Sequence, residues 1–400
     1  MLKKISLTLA TVLAVLVIGG AGYISVSIPG GLSGFWLMLS TVAGMNRSEA
    51  EVQASNFVLP DGFQAELVAE DLGYARFILV TENNDLLVSL TDVGHIVLLQ
   101  DRDGNGNYES KSVIIEGLSN PQGLTFDGDW LYFSERDKVS RVTFDQSTSS
   151  LLGEIEIILK DLPFGHPHMS HNAKTIGISP DRQLYVTVGS PCNVCEPEDA
   201  RYSAMLRSEM DGSNLSIYAT GLRNSVGFDW APWGDLYATV NARDMLGDDF
   251  PPDELNLIVE GGFYGWPYFN GDNIPDPDFG DKRPDLAAES ILPAFKFRAH
   301  NAPLGIHFVE THKNLPEEFQ RTALVALHGS WNRSELDGYR VISLHWDAQG
   351  NIESRDFLSG FLAEDGILGR PVDVAQDNQG RFYVTDDLGG RVYRIQYLNQ

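Results

Sequence analysis

Apolar and polar positions alternate with period two along most of this chain, and one short apolar strand recurs. Its copies are Leu86-Leu87-Val88-Ser89, Leu131-Tyr132-Phe133-Ser134, Leu184-Tyr185-Val186-Thr187, Leu236-Tyr237-Ala238-Thr239, Leu324-Val325-Ala326-Leu327 and Phe382-Tyr383-Val384-Thr385. Most follow residues that tolerate tight reversals, among them Asn84-Asp85, Asp127-Gly128, Pro180-Asp181, Trp233-Gly234 and Asn378-Gln379-Gly380. A first alternating stretch precedes each turn, at 77–81, 123–126, 175–179, 226–230, 305–309 and 372–375. An outer one follows each copy, at 94–99, 138–144, 205–210, 254–259, 339–346 and 391–397. No long amphipathic helix interrupts them. Repeats of this period predict an all-β chain, a six-bladed β-propeller over residues 59–400. In that fold the inner ends of all blades converge on a central channel, so residues remote in sequence share one pocket. Inserts at 243–253 and 268–300, rich in Asp, Pro and Gly, are expected to roof it.

The first 45 residues follow another pattern. Between Lys4 and Arg47 there is no charged residue, and the apolar run 5–28 is long enough to span a hydrocarbon core of about 30 Å. Lys3 and Lys4 on its flank keep the N-terminus inside, which puts the rest of the chain outside. An uncleaved anchor over 1–45 is the expectation, with a cleavable signal peptide as the competing reading, since Gly19-Gly20-Ala21 offers a weak cleavage site. The second uncharged stretch, 32–45, is short for a span and suits the membrane interface. Residues 46–58 read as a linker. The globular part is therefore expected outside the cytoplasm, on the periplasmic side of the cytoplasmic membrane.

Charge narrows the partners. With 55 acidic against 29 basic residues the formal net charge is −26, which argues against nucleic acid as a partner. Cys192 and Cys195 are the only cysteines. In an oxidising compartment the pair reads as a small-loop disulfide. Haem attachment would need His after the second Cys, where Glu196 stands.

The residues just ahead of the first strands look like one site. They are Arg76, Gln122, His171 with Asn172, Arg223 with Asn224, Asn301 and Arg370; at the ends of second strands sit Asn241, Ala242, Arg243 and His328. Arginines, imidazoles and amides facing one channel make a site for anions and carbonyl oxygens. The alternative is structural, each arginine binding carbonyls of the neighbouring blade.

These residues lie in strings that resemble a known family. His171-Asn172-Ala173-Lys174-Thr175-Ile176, Gly189-Ser190-Pro191-Cys192-Asn193-Val194-Cys195, Gly221-Leu222-Arg223-Asn224, Gly261-Gly262-Phe263-Tyr264-Gly265-Trp266-Pro267 and His328-Gly329-Ser330-Trp331-Asn332-Arg333 resemble the sugar dehydrogenases that use pyrroloquinoline quinone (PQQ). The match is nearest their sorbosone and pyranose dehydrogenase branch, related to soluble glucose dehydrogenase. The resemblance implies oxidation of an aldose at its anomeric hydroxyl, or of a sugar aldehyde hydrate, by hydride transfer to PQQ, with electrons passed to an external acceptor. It implies that His171 is the base, with Arg223 and Asn224 beside the quinone. Arg76, Gln122, Asn172, His328 and Arg370 would be further cofactor contacts, and Asn241, Ala242 and Arg243 the loop that holds Ca2+. His328 departs from the soluble glucose dehydrogenase pattern, which has lysine there.

The same residues admit other readings. A calcium-dependent lactonase on a propeller needs several carboxylates and amides around its metal, and few acids are expected in this channel. A non-catalytic binding module would not need His171, Arg223 and Asn224 together. Asp101, Asp103 and Asn105 imitate the start of a calcium loop, but no Glu stands at the twelfth position and a hairpin loop suits the stretch. His166, His168 and His171 have spacing that invites zinc, although Pro167 and a loop setting argue against it. Tyr264, Trp266, Tyr268 and Trp331 suit either ring stacking or core packing.

Overall fold

The computed structural model describes residues 31–48, 53–165, 171–311 and 314–398. Six antiparallel sheets follow one another around a central axis, each running outward from a short inner strand. The inner strands are Ala75–Val80, Leu124–Asp127, Ile176–Ile178, Ser225–Trp230, Pro303–Phe308 and Pro371–Gln376, for blades 1 to 6. The recurring apolar strands are the second strands: Leu86–Leu90, Trp130–Ser134, Leu184–Val188, Leu236–Val240, Thr322–Leu327 and Phe382–Asp386. They are almost wholly buried. Blade 6 takes its outermost strand, Phe63–Ala69, from the start of the domain, where it pairs with Arg391–Tyr397. Period and composition alone did not indicate this closure, because the pairing joins opposite ends of the chain.

The Ser or Thr that ends the repeat has a physical reason. Inner strands of blades 1, 4, 5 and 6 shift register against their second strands. Such an irregularity leaves an inner-strand amide without a ladder partner. Ser89, Ser134, Thr187, Thr239 and Thr385 accept from the amides of Phe77, Gly123, Thr175, Gly227 and Asp373. Three of these hydroxyls donate onward to the next blade, on Lys174 O at 2.6 Å, Leu304 O at 2.7 Å and Arg76 O at 2.6 Å. The repeat therefore encodes blade-to-blade bonding as well as strand propensity. Blade 5, with Leu327 at that position, is the exception.

Across the channel, Phe77, Val226, Leu304 and Val372 form an apolar plug. It separates two openings, and the starts of inner strands and the ends of second strands gather at one of them. The insert 268–300 does not roof that opening as expected. It packs beside blade 4, supplies that blade's outer strand Phe295–Lys296, and reaches the opening only through His300. The run 5–28 lies outside the described residues. Helix α1, Gly31–Val42, follows it, and no helix among the described residues is long and apolar enough to cross a membrane. At the two ends of the stretch 46–58, Arg47 bridges to Ile367 and Val58 to Ser359.

Candidate active site

A cavity of about 210 Å³ opens above the plug. Its wall includes His171, Arg223, Asn224, Asn241, Ala242, His328 and Arg370, drawn from residues separated by up to half the chain. Most of the expected set is thus brought together. Arg76, Gln122, Asn172 and Arg243 stand behind the wall.

His171 is fixed by the turn that follows the second strand of blade 3. Its Nδ1 lies 2.8 Å from Ser190 Oγ and 3.1 Å from Ser190 O. Ser190 Oγ spends its one proton on Cys192 O at 2.7 Å. Both neighbours of Nδ1 are then acceptors, so Nδ1 carries the ring proton and Nε2 keeps a free lone pair. Burial, and then the nearby charge of Arg223, lower the imidazole pKa to about 3. The ring is neutral at ordinary pH. Gly189 makes this approach possible, because a Cβ there would lie 2.5 Å from His171 Cβ and 2.8 Å from Asn224 Oδ1.

Arg223 locks two loops together. Nε donates to Asn193 O at 2.9 Å, while Nη1 donates to Asn241 O at 3.1 Å and Ala242 O at 2.5 Å. Nη2 donates to Asn193 Oδ1 at 2.9 Å and Asp244 Oδ2 at 3.0 Å. All five N–H groups are used on protein acceptors, so here the guanidinium contributes a fixed charge rather than a free donor. Cys192 and Cys195 are disulfide-bonded, as expected, and close the loop that presents Asn193.

A second imidazole has the opposite tautomer. His328 Nε2 lies 2.9 and 3.0 Å from the two oxygens of Asp387, which also bonds Arg76 Nη1 at 2.8 Å. Burial would push the Asp387 carboxyl up, but His328, Arg76 and Arg370 together hold it well below the usual carboxylate range. Burial and the Arg370 charge lower His328 to about 4 even against that carboxylate. A neutral ring beside an anion donates through Nε2 and leaves Nδ1 bare. Arg370 holds the turn by donating to His328 O at 3.1 Å and Gly329 O at 3.0 Å. The same arginines thus bind main-chain carbonyls and place positive charge at the channel.

The stretch of wall next to Arg223 is rich in oxygen. Asp253 accepts from the amides of Ala242 and Ala302, both at 2.9 Å, and burial raises its carboxyl pKa to about 6. Asp244 accepts from Asn332 Nδ2 at 3.0 Å. The amide oxygens of Asn241 and Asn332 are buried without a partner among the described residues. His300 Nε2 lies 2.9 Å from Gly247 O. The channel therefore holds more acid than the sequence suggested, and the expectation of few acids is corrected.

The residues behind the wall have other tasks. Asn172 bonds both backbone groups of Gly165, and Gln122 donates to Thr175 Oγ1 at 3.0 Å. Arg243 turns its side chain to Asp276 and Asp278, leaving only its main chain for a metal. Asn301 turns to Asp337. Trp331 lines the cavity, whereas Tyr264 and Trp266 are buried in the packing around it. His166 and His168 lie outside the described residues. On the face opposite the cavity, ligand atoms of Asp101, Asp103 and Glu109 lie within 4.8 Å of one another in a hairpin loop of blade 1. There Asp101 accepts from Gly104, Asn105 and Gly106.

Sequence reasoning missed Ser190, Asp244, Asp253, His300 and Asp387. Asp387 had a signal, because it follows the sixth repeat strand as His328 follows the fifth. Ser190, Trp331 and Asn332 lay within strings already noted.

Fold and cavity together define a six-bladed β-propeller with one central site, built where the blades converge. The chain belongs to the TrAA12-like family, whose profile matches residues 57–260 and 281–398. It is 31% identical over 362 residues to an uncharacterized protein of Borreliella burgdorferi, covering 87% of this chain and 93% of that one. A stretch of 165 residues is 28% identical to quinoprotein glucose dehydrogenase B of Acinetobacter calcoaceticus, 33% of this chain and 32% of that protein. The calcium structure of the Trichoderma reesei family AA12 protein superposes with a TM-score of 0.74 at 22% identity, over 88% of this chain and 99% of its own. The holo PQQ domain of pyranose dehydrogenase from Coprinopsis cinerea gives 0.71 at 20% identity, over 87% and 98%. At these identities the structural likeness is one of fold.

Proposed function

We propose that this protein oxidises the anomeric hydroxyl of an aldose, or a sugar aldehyde hydrate, using PQQ and Ca2+, and passes the electrons to an external acceptor. The observation that carries the reading is His171, a neutral imidazole in the wall of a cavity flanked by fixed cations, whose unprotonated Nε2 has no partner among the described residues. Two adjoining stretches of the cavity wall suit the two groups. Arg370, Arg223 and the imidazoles favour an anionic, carbonyl-bearing cofactor, with Trp331 as a flat neighbour. Beside Arg223, Asn241, Ala242, Asp244, Asp253 and Asn332 carry oxygens of the kind a hard cation takes, including two amide oxygens without a partner among the described residues.

When bound, PQQ accepts the hydride from the sugar, and Ca2+ stabilises the charge that develops on it. The protein's own part is proton transfer and orientation. His171 Nε2 takes the hydroxyl proton, while Ser190 and Cys192 O keep the ring proton on Nδ1. Positive charge on the ring during transfer is opposed by Arg223. Negative charge brought in by an anionic ligand offsets that opposition and raises the imidazole toward a working pKa. The apolar plug beneath keeps bulk water from entering through the far end of the channel. The acidic, extracytoplasmic, membrane-anchored setting expected from the sequence is part of this proposal.

Adding PQQ and Ca2+ to the purified protein and following dye reduction with a panel of aldoses tests the reading. Activity should need both additions, and a chelator should abolish it and lower the Tm of the quinone-loaded protein. Failure to bind PQQ would overturn the reading and favour a metal-dependent lactonase, for which the acids found in the channel would then serve. A separate expectation concerns the disulfide. Replacing Cys192 and Cys195 together with serine should shift Tm by no more than about 2 °C, since the closed loop is short. Turnover should fall about tenfold, because that loop positions Ser190 and Arg223. Calorimetry and dye reduction on one preparation separate the two effects.

A further inference from the structure

Helix α1 is not free to point anywhere. Asn46 donates to Leu37 O and Thr41 Oγ1 and accepts from Ser40 Oγ, which fastens the helix end to the following turn. That turn is fixed to the propeller: Ile367 N donates to Asn46 O, Ser48 N to Ile367 O, and Arg47 Nη2 to Leu388 O at 2.8 Å. Both attachment points belong to the cavity face. Leu388 directly follows Asp387, and Ile367 lies three residues ahead of Arg370, within about 11 Å of chain. The helix carries no charged residue and leaves Trp36 61% exposed and Leu39 43% exposed, with Met45 beyond its end 57% exposed.

An exposed apolar surface of this kind suits an apolar partner, and the sequence that precedes it suggests which. The uncharged run 5–28 ends two residues before α1 begins and is long enough to span a bilayer. A body of net charge −26 would not be drawn to anionic lipid, and the exposed face is apolar and aromatic, as in helices that lie in a membrane interface. We propose that α1 and the cavity face of blade 6 dock on a zwitterionic lipid bilayer, so that the cavity opens toward the membrane surface. The inference rests on the proposed anchor and adds an orientation to it. Substrate and acceptor would then meet the protein at the lipid–water boundary.

The test uses the full chain reconstituted in phosphatidylcholine vesicles. One fluorophore is placed at Glu364→Cys, in the exposed turn beside Asp365, which bonds Ser48. Another is placed at Gln349→Cys, exposed in a turn on the opposite face, about 20 Å away across the strands. Energy transfer to a lipid-borne acceptor should be several-fold higher from position 364. Trp36→Ser with Leu39→Ser should abolish that difference and leave sugar oxidation in detergent unchanged. Equal transfer from both positions, or a difference that survives the double substitution, would overturn the docking and leave the anchor standing. Transfer between two copies of the chain with none to lipid would likewise overturn it, in favour of a dimer. If the full chain does not float with vesicles, anchor and docking both fail, and the oxidoreductase reading is untouched.

Discussion

His171→Ala should lower kcat by about 10²- to 10⁴-fold, the range lost when a positioned general base is removed. Its fold should barely change, because Ser190 keeps its bond to Cys192 O and only one side-chain bond, worth about 1 kcal/mol, is removed. Added imidazole should restore part of the rate, since the space vacated by the ring borders the cavity. The pH dependence of stability supplies a second check. The folded pKa of His171 lies near 3, below the ordinary 6.5, so its neutral form stabilises the fold above pH 6.5. That contribution is lost as pH falls from 6.5 toward 3. The alanine variant lacks it, so its Tm should rise relative to wild type across that interval. A variant within threefold of wild-type kcat would move the base elsewhere, with the bare Nδ1 of His328 as the next candidate.

Asp387→Ala should destabilise the protein by about 3 to 5 kcal/mol, the loss when one partner of a buried ion pair is removed. At about 2.1 cal/mol/K per residue, that is a fall of about 5 °C in Tm for a domain of this size. The carboxylate is 1% exposed and answers Arg76 and His328 directly, with Arg370 close by. Removing it leaves like charges facing one another in a desolvated channel. Asp387→Asn preserves the shape and should cost less, while binding of an anionic cofactor should change more than Tm does. His328, lowered to about 4, stabilises the fold above pH 6.5 and loses that contribution as pH falls toward 4. Asp387, held low, loses its own only in more acidic solution. His328→Gln should therefore flatten the Tm profile between pH 6.5 and 4, a region worth about 3 kcal/mol by the size of the shift. An Asp387→Asn protein as stable as wild type would mean the cations do not depend on this carboxylate.

The repeat strands, their turns and most of the channel residues were legible because each rests on local pattern. Alternation sets strand faces, and a fixed position in each repeat sets which residues reach the channel. His171, Arg223, Asn224, His328 and Arg370 were found that way. Asp253 and Asp244 were not, because they sit in an insert outside the repeat, where no period predicts direction. Arg243 shows the same limit: its neighbours Asn241 and Ala242 line the cavity, while its own side chain turns to Asp276 across a loop that no local rule could aim.

Periodicity and residue type, being properties of short segments, were enough for the all-β architecture, the number of blades and the arginines and imidazoles of the channel, though not for its acids. Tertiary structure alone decided which nitrogen of each histidine is free. That depends on Ser190 giving its proton to Cys192 O and on Asp387 lying against His328 from 59 residues away. It also decided that Phe63–Ala69 closes the sixth blade and that α1 is fastened to the cavity face. These are contacts between distant segments, whose free energy appears only when the whole chain has packed.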